Sequence, residues 1–136
     1  MPNASTLQFL LTLAKGIASQ FGPNCEVVVH DLATNDPERS IVAIENGHVT
    51  GRKVGDGPSH VVLEALRGNP EQLHDHLSYL TRTKDGKILK STTIYIRDDD
   101  GAPIGIFGIN YDITLMLAME NAIKQFTATE KDEKEP

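Results

Sequence analysis

The sequence predicts an α+β fold: an antiparallel sheet of about five strands, short helices over one face, and a helix at each end. Three observations point there. Apolar residues repeat at helical spacing near both ends, β-branched runs alternate with turn dipeptides between them, and two short capped segments interrupt the strands midway. The 136 residues suffice for one core and are too few for two full domains.

The first helix is read from Leu7, Leu10, Leu11, Ala14, Ile17, Ala18 and Phe21, the spacing of one buried stripe, with Ser5 or Asn3 as its cap and Gly22-Pro23 as its stop. Cys25 to Leu32 holds the run Val27-Val28-Val29 just after that breaker, which favours a buried strand. A second strand, Ile41 to Ile44, meets Asn46-Gly47, a dipeptide suited to a tight hairpin, so His48-Val49-Thr50 is expected as a short return strand. Gly51 to Pro58 is a loop, and Ser59 caps a short helix carrying Val61, Val62, Ala65 and Leu66 that ends at Gly68. Asn69-Pro70-Glu71 reads as the start of another short helix through Leu77. Tyr79 to Thr83 and Ile88 to Arg97 form a hairpin through Lys84-Asp85-Gly86-Lys87. In its longer strand Leu89, Ser91, Thr93, Tyr95 and Arg97 share one face, while Ile88, Lys90, Thr92, Ile94 and Ile96 share the other. Asp98-Asp99-Asp100-Gly101 turns the chain into a last strand, Ile104 to Tyr111, and a final helix starts near Thr114. Residues 127–136 read as a charged tail after a domain spanning 1–126.

The net charge is -6, and the basic residues are interleaved with acids, so the chain lacks the basic footprint that nucleic-acid binding needs. Gln8, Thr12 and Lys15 interrupt the first apolar stretch, and a lone Cys25 cannot form an internal disulfide. A cytoplasmic location and no membrane contact are the resulting expectations.

The segment from Tyr95 through Asp98-Asp99-Asp100-Gly101 and Pro103-Ile104-Gly105-Ile106 to Asn110-Tyr111-Asp112-Ile113-Thr114 resembles the closing hairpin of PAS domains. Gly22 to Leu32, Gly55-Asp56-Gly57-Pro58 and Lys90-Ser91-Thr92-Thr93 are similar to one subgroup, the YheO-like PAS domains, and the likeness covers roughly Leu7 to Phe126. The resemblance implies a PAS-like sheet and the sensory part of a bacterial transcription regulator, a repressor of amino-acid or other small-metabolite catabolism. It also implies a helix-turn-helix domain after the sensor, which this chain does not contain. DNA would then be reached only through that missing domain. The chain lacks the cysteine motif of flavin-linked light sensors, and no cofactor is expected.

A sensor needs a cavity with a few polar groups aimed into it. Ser91, Thr93 and Tyr95 on one strand, with Asn110 and Tyr111 on its neighbour, are the candidates; the alternative is a solvated sheet face. His30 and Asp31 are further candidates, although adjacent strand residues point to opposite faces, and a structural cap on the turn competes with a ligand role. The loop Gly51 to Gly57 superficially resembles an anion-binding loop without the Gly-Lys-Ser/Thr ending; the alternative is an ordinary glycine-rich connection. His74-Asp75-His76 would diverge on a helix, so no metal is expected, and Cys25 reads as a buried thiol. Gly105 and Gly108 mark a close approach or a bend. Leu115, Met119, Ala122, Ile123 and Phe126, with Leu7, Leu11 and Phe21, form the candidate homodimer and signalling surface, unless each stripe packs on its own sheet. No carboxylate pair or nucleophile–base set has catalytic spacing, so an enzyme is not expected. A small metabolite such as an amino acid is the expected ligand; a ligand-free dimerisation module is the alternative.

Overall fold

A computed structural model describes residues 4–33, 36–131 and 133–136; Asn3, one of the two caps expected for the first helix, and the Val61 side chain lie outside the described residues. Helix α1 (Ala4–Phe21) begins before Ser5, which is therefore a helical residue and not its cap. Leu10, Ala14 and Ala18 form its buried stripe, and the two alanines let the helix lie close to the sheet. Gly22, at φ +86°, ends it by donating to the Ala18 carbonyl at 2.9 Å, a conformation that a side chain would strain.

Five strands follow: β1 (Cys25–Asp31), β2 (Ile41–Glu45), β3 (His76–Arg82), β4 (Ile88–Arg97) and β5 (Pro103–Asp112). They form one antiparallel sheet in the order β2-β1-β5-β4-β3, as the α+β reading predicts. Register sorts their side chains. Val27 is opposite Ile109, which is opposite Thr92, and Val29 is opposite Phe107, which is opposite Ile94. This outer face lies under α1, where Cys25, Val27, Val29 and Phe107 form a core with Leu10, Ala14 and Ala18. The intervening residues Glu26, Val28, His30, Ser91, Thr93, Ile106 and Asn110 share the inner face.

Over the inner face lies α2 (His60–Arg67), whose cap Ser59 accepts from the Val62 amide at 3.5 Å as its sequence predicts. Two expectations fail. Residues Gly47–Val49 form a single 3-10 turn instead of a return strand, because Asn46 alone takes the left-handed conformation and Gly51 donates back to Gly47 at 2.8 Å. A Cβ on Gly47 would lie 2.5 Å from the Arg52 carbonyl oxygen, so the tight coil requires glycine there. The helix expected through Leu77 stops after the 3-10 turn Pro70–Gln72, and His76 already belongs to β3. Asp75 accepts from the Tyr95 amide at 2.9 Å, which satisfies β4 where its ladder with β3 runs out.

Helix α3 (Thr114–Thr127) leaves the sheet through the segment Asp112-Ile113-Thr114. Asp112 accepts from both the Thr114 amide (3.0 Å) and hydroxyl (2.6 Å), and the Thr114 oxygen accepts from the Ile88 amide at 2.8 Å. The helix start is thereby clasped to the first residue of β4. Beyond this clasp α3 has no buried residue, and Leu115, Met119, Ile123 and Phe126 are exposed.

Candidate functional site

A cleft of about 530 Å³ lies on the inner face, between the sheet, the loop around residues 48–59 and α2. Its volume falls in the range of small-molecule sites. Val28, Ile106 and Gly108 make its floor, and Val62 of α2 lines it from above. A Cβ on Gly108 would come within 2.9 Å of a Val28 methyl, so the glycine opens floor space between two central strands.

Beside this floor, on the same face of the sheet, Glu26 is wholly buried, and both of its carboxylate oxygens are satisfied. One accepts from the Thr50 amide (3.1 Å) and hydroxyl (2.6 Å), the other from the Asn110 amide group at 2.8 Å. The chain continues through polar groups across the sheet. Asn110 accepts from Ser91 at 2.8 Å, and Ser91 meets Thr81 at 2.8 Å. Thus β1, the 3-10 turn, β5, β4 and β3 are linked by one line of hydrogen bonds, and the Glu26–Thr50 contact explains why the turn coils inward.

His30 is also buried, and its Nδ1 lies 2.8 Å from the Ser40 hydroxyl. Burial, and secondarily the positive charge of Arg52, push the imidazole down to about 4, so it is neutral at pH 7. Tyr79 and Thr93 share a hydrogen bond of 2.7 Å on the far side. These two residues and Val62 also line a second cavity of about 460 Å³ that reaches Leu73, Asp75 and Tyr95. They form the partition between two lobes. Burial, then the neighbouring Tyr79 and Asp75, pushes the Tyr95 phenol up and keeps it protonated.

Of the residues singled out from sequence, His30, Thr93 and Asn110 line the first lobe, and Thr93 and Tyr95 line the second. Ser91, on the same face, lies buried in the hydrogen-bonded line beside them. The structure does not bring Asp31 and Tyr111 to this place. Asp31 points to the outer face and accepts from the Ala33 amide at 2.9 Å, the turn cap that was its competing reading, and Tyr111 packs against the core under α1. The irregularity beside His30 places the extra residue, Val42, on β2, so His30 and Asp31 keep opposite directions. Sequence reasoning missed Glu26, Thr50, Tyr79 and Thr81, and it took in Arg52 only as part of the glycine-rich loop. A signal for the first existed in the alternation of Glu26, Val28 and His30 along one strand.

The remaining candidates resolve differently. In the glycine-rich loop the amides of Arg52, Lys53, Gly55 and Asp56 all donate within the protein, the pattern of a structural connection. His76 stacks on Tyr79 with centroids 3.9 Å apart while His74 stands exposed, and no cluster of metal-ligating side chains occurs among the described residues. Cys25 is buried in the outer core, and burial followed by the charge of Glu26 pushes its thiol up, away from the reactive thiolate. Leu7 packs on the outer core, whereas Phe9, Leu13 and Phe21 are the exposed apolar side chains of α1. Among the described residues no helix is long and apolar enough to cross a membrane.

Comparison with known proteins accords with this architecture. The chain is similar to YheO of Escherichia coli, 38% identical over 106 residues, which are 72% of this chain and 40% of that protein. A Haemophilus influenzae protein is 35% identical over 115 residues, 85% of this chain and 50% of its own length. The transcriptional regulator DauR of Pseudomonas aeruginosa is 29% identical over 126 residues, 93% of this chain and 56% of that protein. The chain therefore spans about half the length of the curated relatives it matches. The YheO-like PAS domain matches residues 1–128, from α1 through the end of α3, and the chain belongs to that family.

Proposed function

We propose that this chain is the small-molecule-sensing domain of a bacterial transcription regulator, and that it binds its ligand in the inner-face cleft. The observation that carries this reading is the contrast within that cleft, an apolar floor with a few oriented polar groups around it. Similarity to a protein named as a transcriptional regulator supports the regulatory half. The output would run through the clasp at Asp112–Thr114 into α3, and from there to a helix-turn-helix domain outside this chain, in the cytoplasm. The exposed Leu115, Met119, Ile123 and Phe126 suit a homodimer contact continuing towards such a domain. A ligand must bind one packing of α2 and α3 better than the other, since equal affinity would shift nothing. Binding, not turnover, is the proposed task.

The same exposed stripe on α3, together with Phe9, Leu13 and Phe21 on α1, favours a second reading, a dimerisation module whose cleft stays unused. Thermal-shift screening against amino acids and related metabolites separates the two. Sensing predicts that some metabolite raises the melting temperature; a dimer in solution with no stabilising metabolite would favour the module.

A further inference from the structure

The charges of this protein are unevenly placed. The chain is acidic overall at -6, yet the cleft is lined by Arg52, Arg82, Lys84 and Lys87 and by a single carboxylate, Asp85. Lys87 is occupied, donating to the His48 and Val49 carbonyls at 3.1 Å each and lying 3.8 Å from Asp85. Arg82 and Lys84 are exposed at the rim. Arg52 differs from all of these. It is half-buried, and its guanidinium has no hydrogen bond or ion pair among the described residues. The nearby buried carboxylate cannot serve it, since Glu26 already takes three donors from Thr50 and Asn110.

Close by stands a second group with unused capacity. His30 is 4% exposed and lines the cleft, yet among the described residues only its Nδ1 is engaged, by Ser40, and Nε2 has no partner. We propose that the cleft takes a small carboxylate-bearing metabolite, with the Arg52 guanidinium as its charge partner and the His30 Nε2 as its hydrogen-bonding neighbour. The planar fork of a guanidinium matches a carboxylate in a bidentate pair, and a half-desolvated site strengthens it. With its imidazole held neutral, His30 adds a hydrogen bond without adding charge. Among the described residues Arg52 is the one half-buried cation of the cleft without a partner, and it balances one carboxylate. A phosphate dianion would need a second, and the remaining three are engaged or at the rim. The apolar floor of Val28, Ile106 and Gly108, with Val62 opposite, would hold the uncharged remainder of the ligand.

This inference rests on the sensing reading, and calorimetry on the whole chain can fail the two separately. The probes are matched pairs in which only charge differs: succinate and succinamide, benzoate and benzamide, 4-aminobutyrate and 4-aminobutyramide. Inorganic phosphate, glucose and spermidine complete the panel. At least one carboxylate is expected to bind about ten-fold more tightly than its amide. Arg52→Gln should reduce that preference below about two-fold, Arg52→Lys should keep part of it, and Lys84→Gln at the rim should change it by less than about two-fold. Amides binding as well as acids, a preference surviving Arg52→Gln, or phosphate binding more tightly than every carboxylate would overturn the inference and leave sensing intact. If only glucose or spermidine binds, the inference fails in the same way. No binding by any probe would count against both.

Discussion

The two faces of the sheet are made by the same strands and behave as different materials. On the outer face Cys25, Val27, Val29 and Phe107 meet an eighteen-residue helix whose buried alanines admit close packing. On the inner face Glu26, His30, Ser91, Thr93 and Asn110 alternate with those residues, under an eight-residue helix and a loop that leave about 530 Å³ open. Because strand side chains alternate, one sequence can encode stability and binding in interleaved positions without mixing them. The outer face should therefore carry most of the stability, and the inner face should tolerate change at a cost in recognition.

The largest effect is expected outside. Phe107→Ala should lower unfolding free energy by about 3–5 kcal/mol in a denaturant titration, because the fixed packing of α1 cannot collapse into the space. A loss below about 1 kcal/mol would put the core elsewhere. Acid should expose the next. His30 titrates near 4 when folded and near 6.5 when unfolded, so between these values the unfolded chain holds more protons. Its contribution is complete above about pH 6.5 and is lost as pH falls toward 4, up to about 3 kcal/mol. His30→Asn should flatten the stability profile across that window, and an unchanged slope would show that other groups drive the acid response. The smallest effect should come from the partition between the lobes. Tyr79→Phe loses a 2.7 Å hydrogen bond to Thr93 and should cost about 1 kcal/mol or less. It should nevertheless alter ligand affinity, because Tyr79 lines both lobes. Equal affinity in parent and variant would place the ligand away from that partition.

Much of the sheet was legible because its signals are local. The run Val27-Val28-Val29, the turn at Asp98 to Gly101 and the cap Ser59 each act within a few residues, and each fell where expected. The errors came where a distant partner decides. Asn46-Gly47 carries hairpin chemistry, but Glu26, more than twenty residues away in sequence, draws Thr50 inward and the segment coils. Proline at position 70 promises a helix, yet Arg97 donates to the Pro70, Leu73 and Gly101 carbonyls, a contact with one 3-10 turn that sequence does not show. The candidate site was half legible for the same reason. Strand alternation already sets Asn110 and Tyr111 on opposite faces, but only cross-strand register reveals that Asn110, opposite Ser91, is the one on the cleft side. Arg52, in an irregular loop, has no periodicity from which its direction could be read.

The central claim, that recognition belongs to the inner face, is tested most directly by mapping backbone amide shifts in a nuclear magnetic resonance titration with whichever panel carboxylate binds. The account predicts that the largest changes fall at Thr50, Arg52, Thr93 and Asn110, with smaller ones at the Asp112–Thr114 clasp. Changes centred on α1, on the exposed stripe of α3, or evenly on both faces would contradict it.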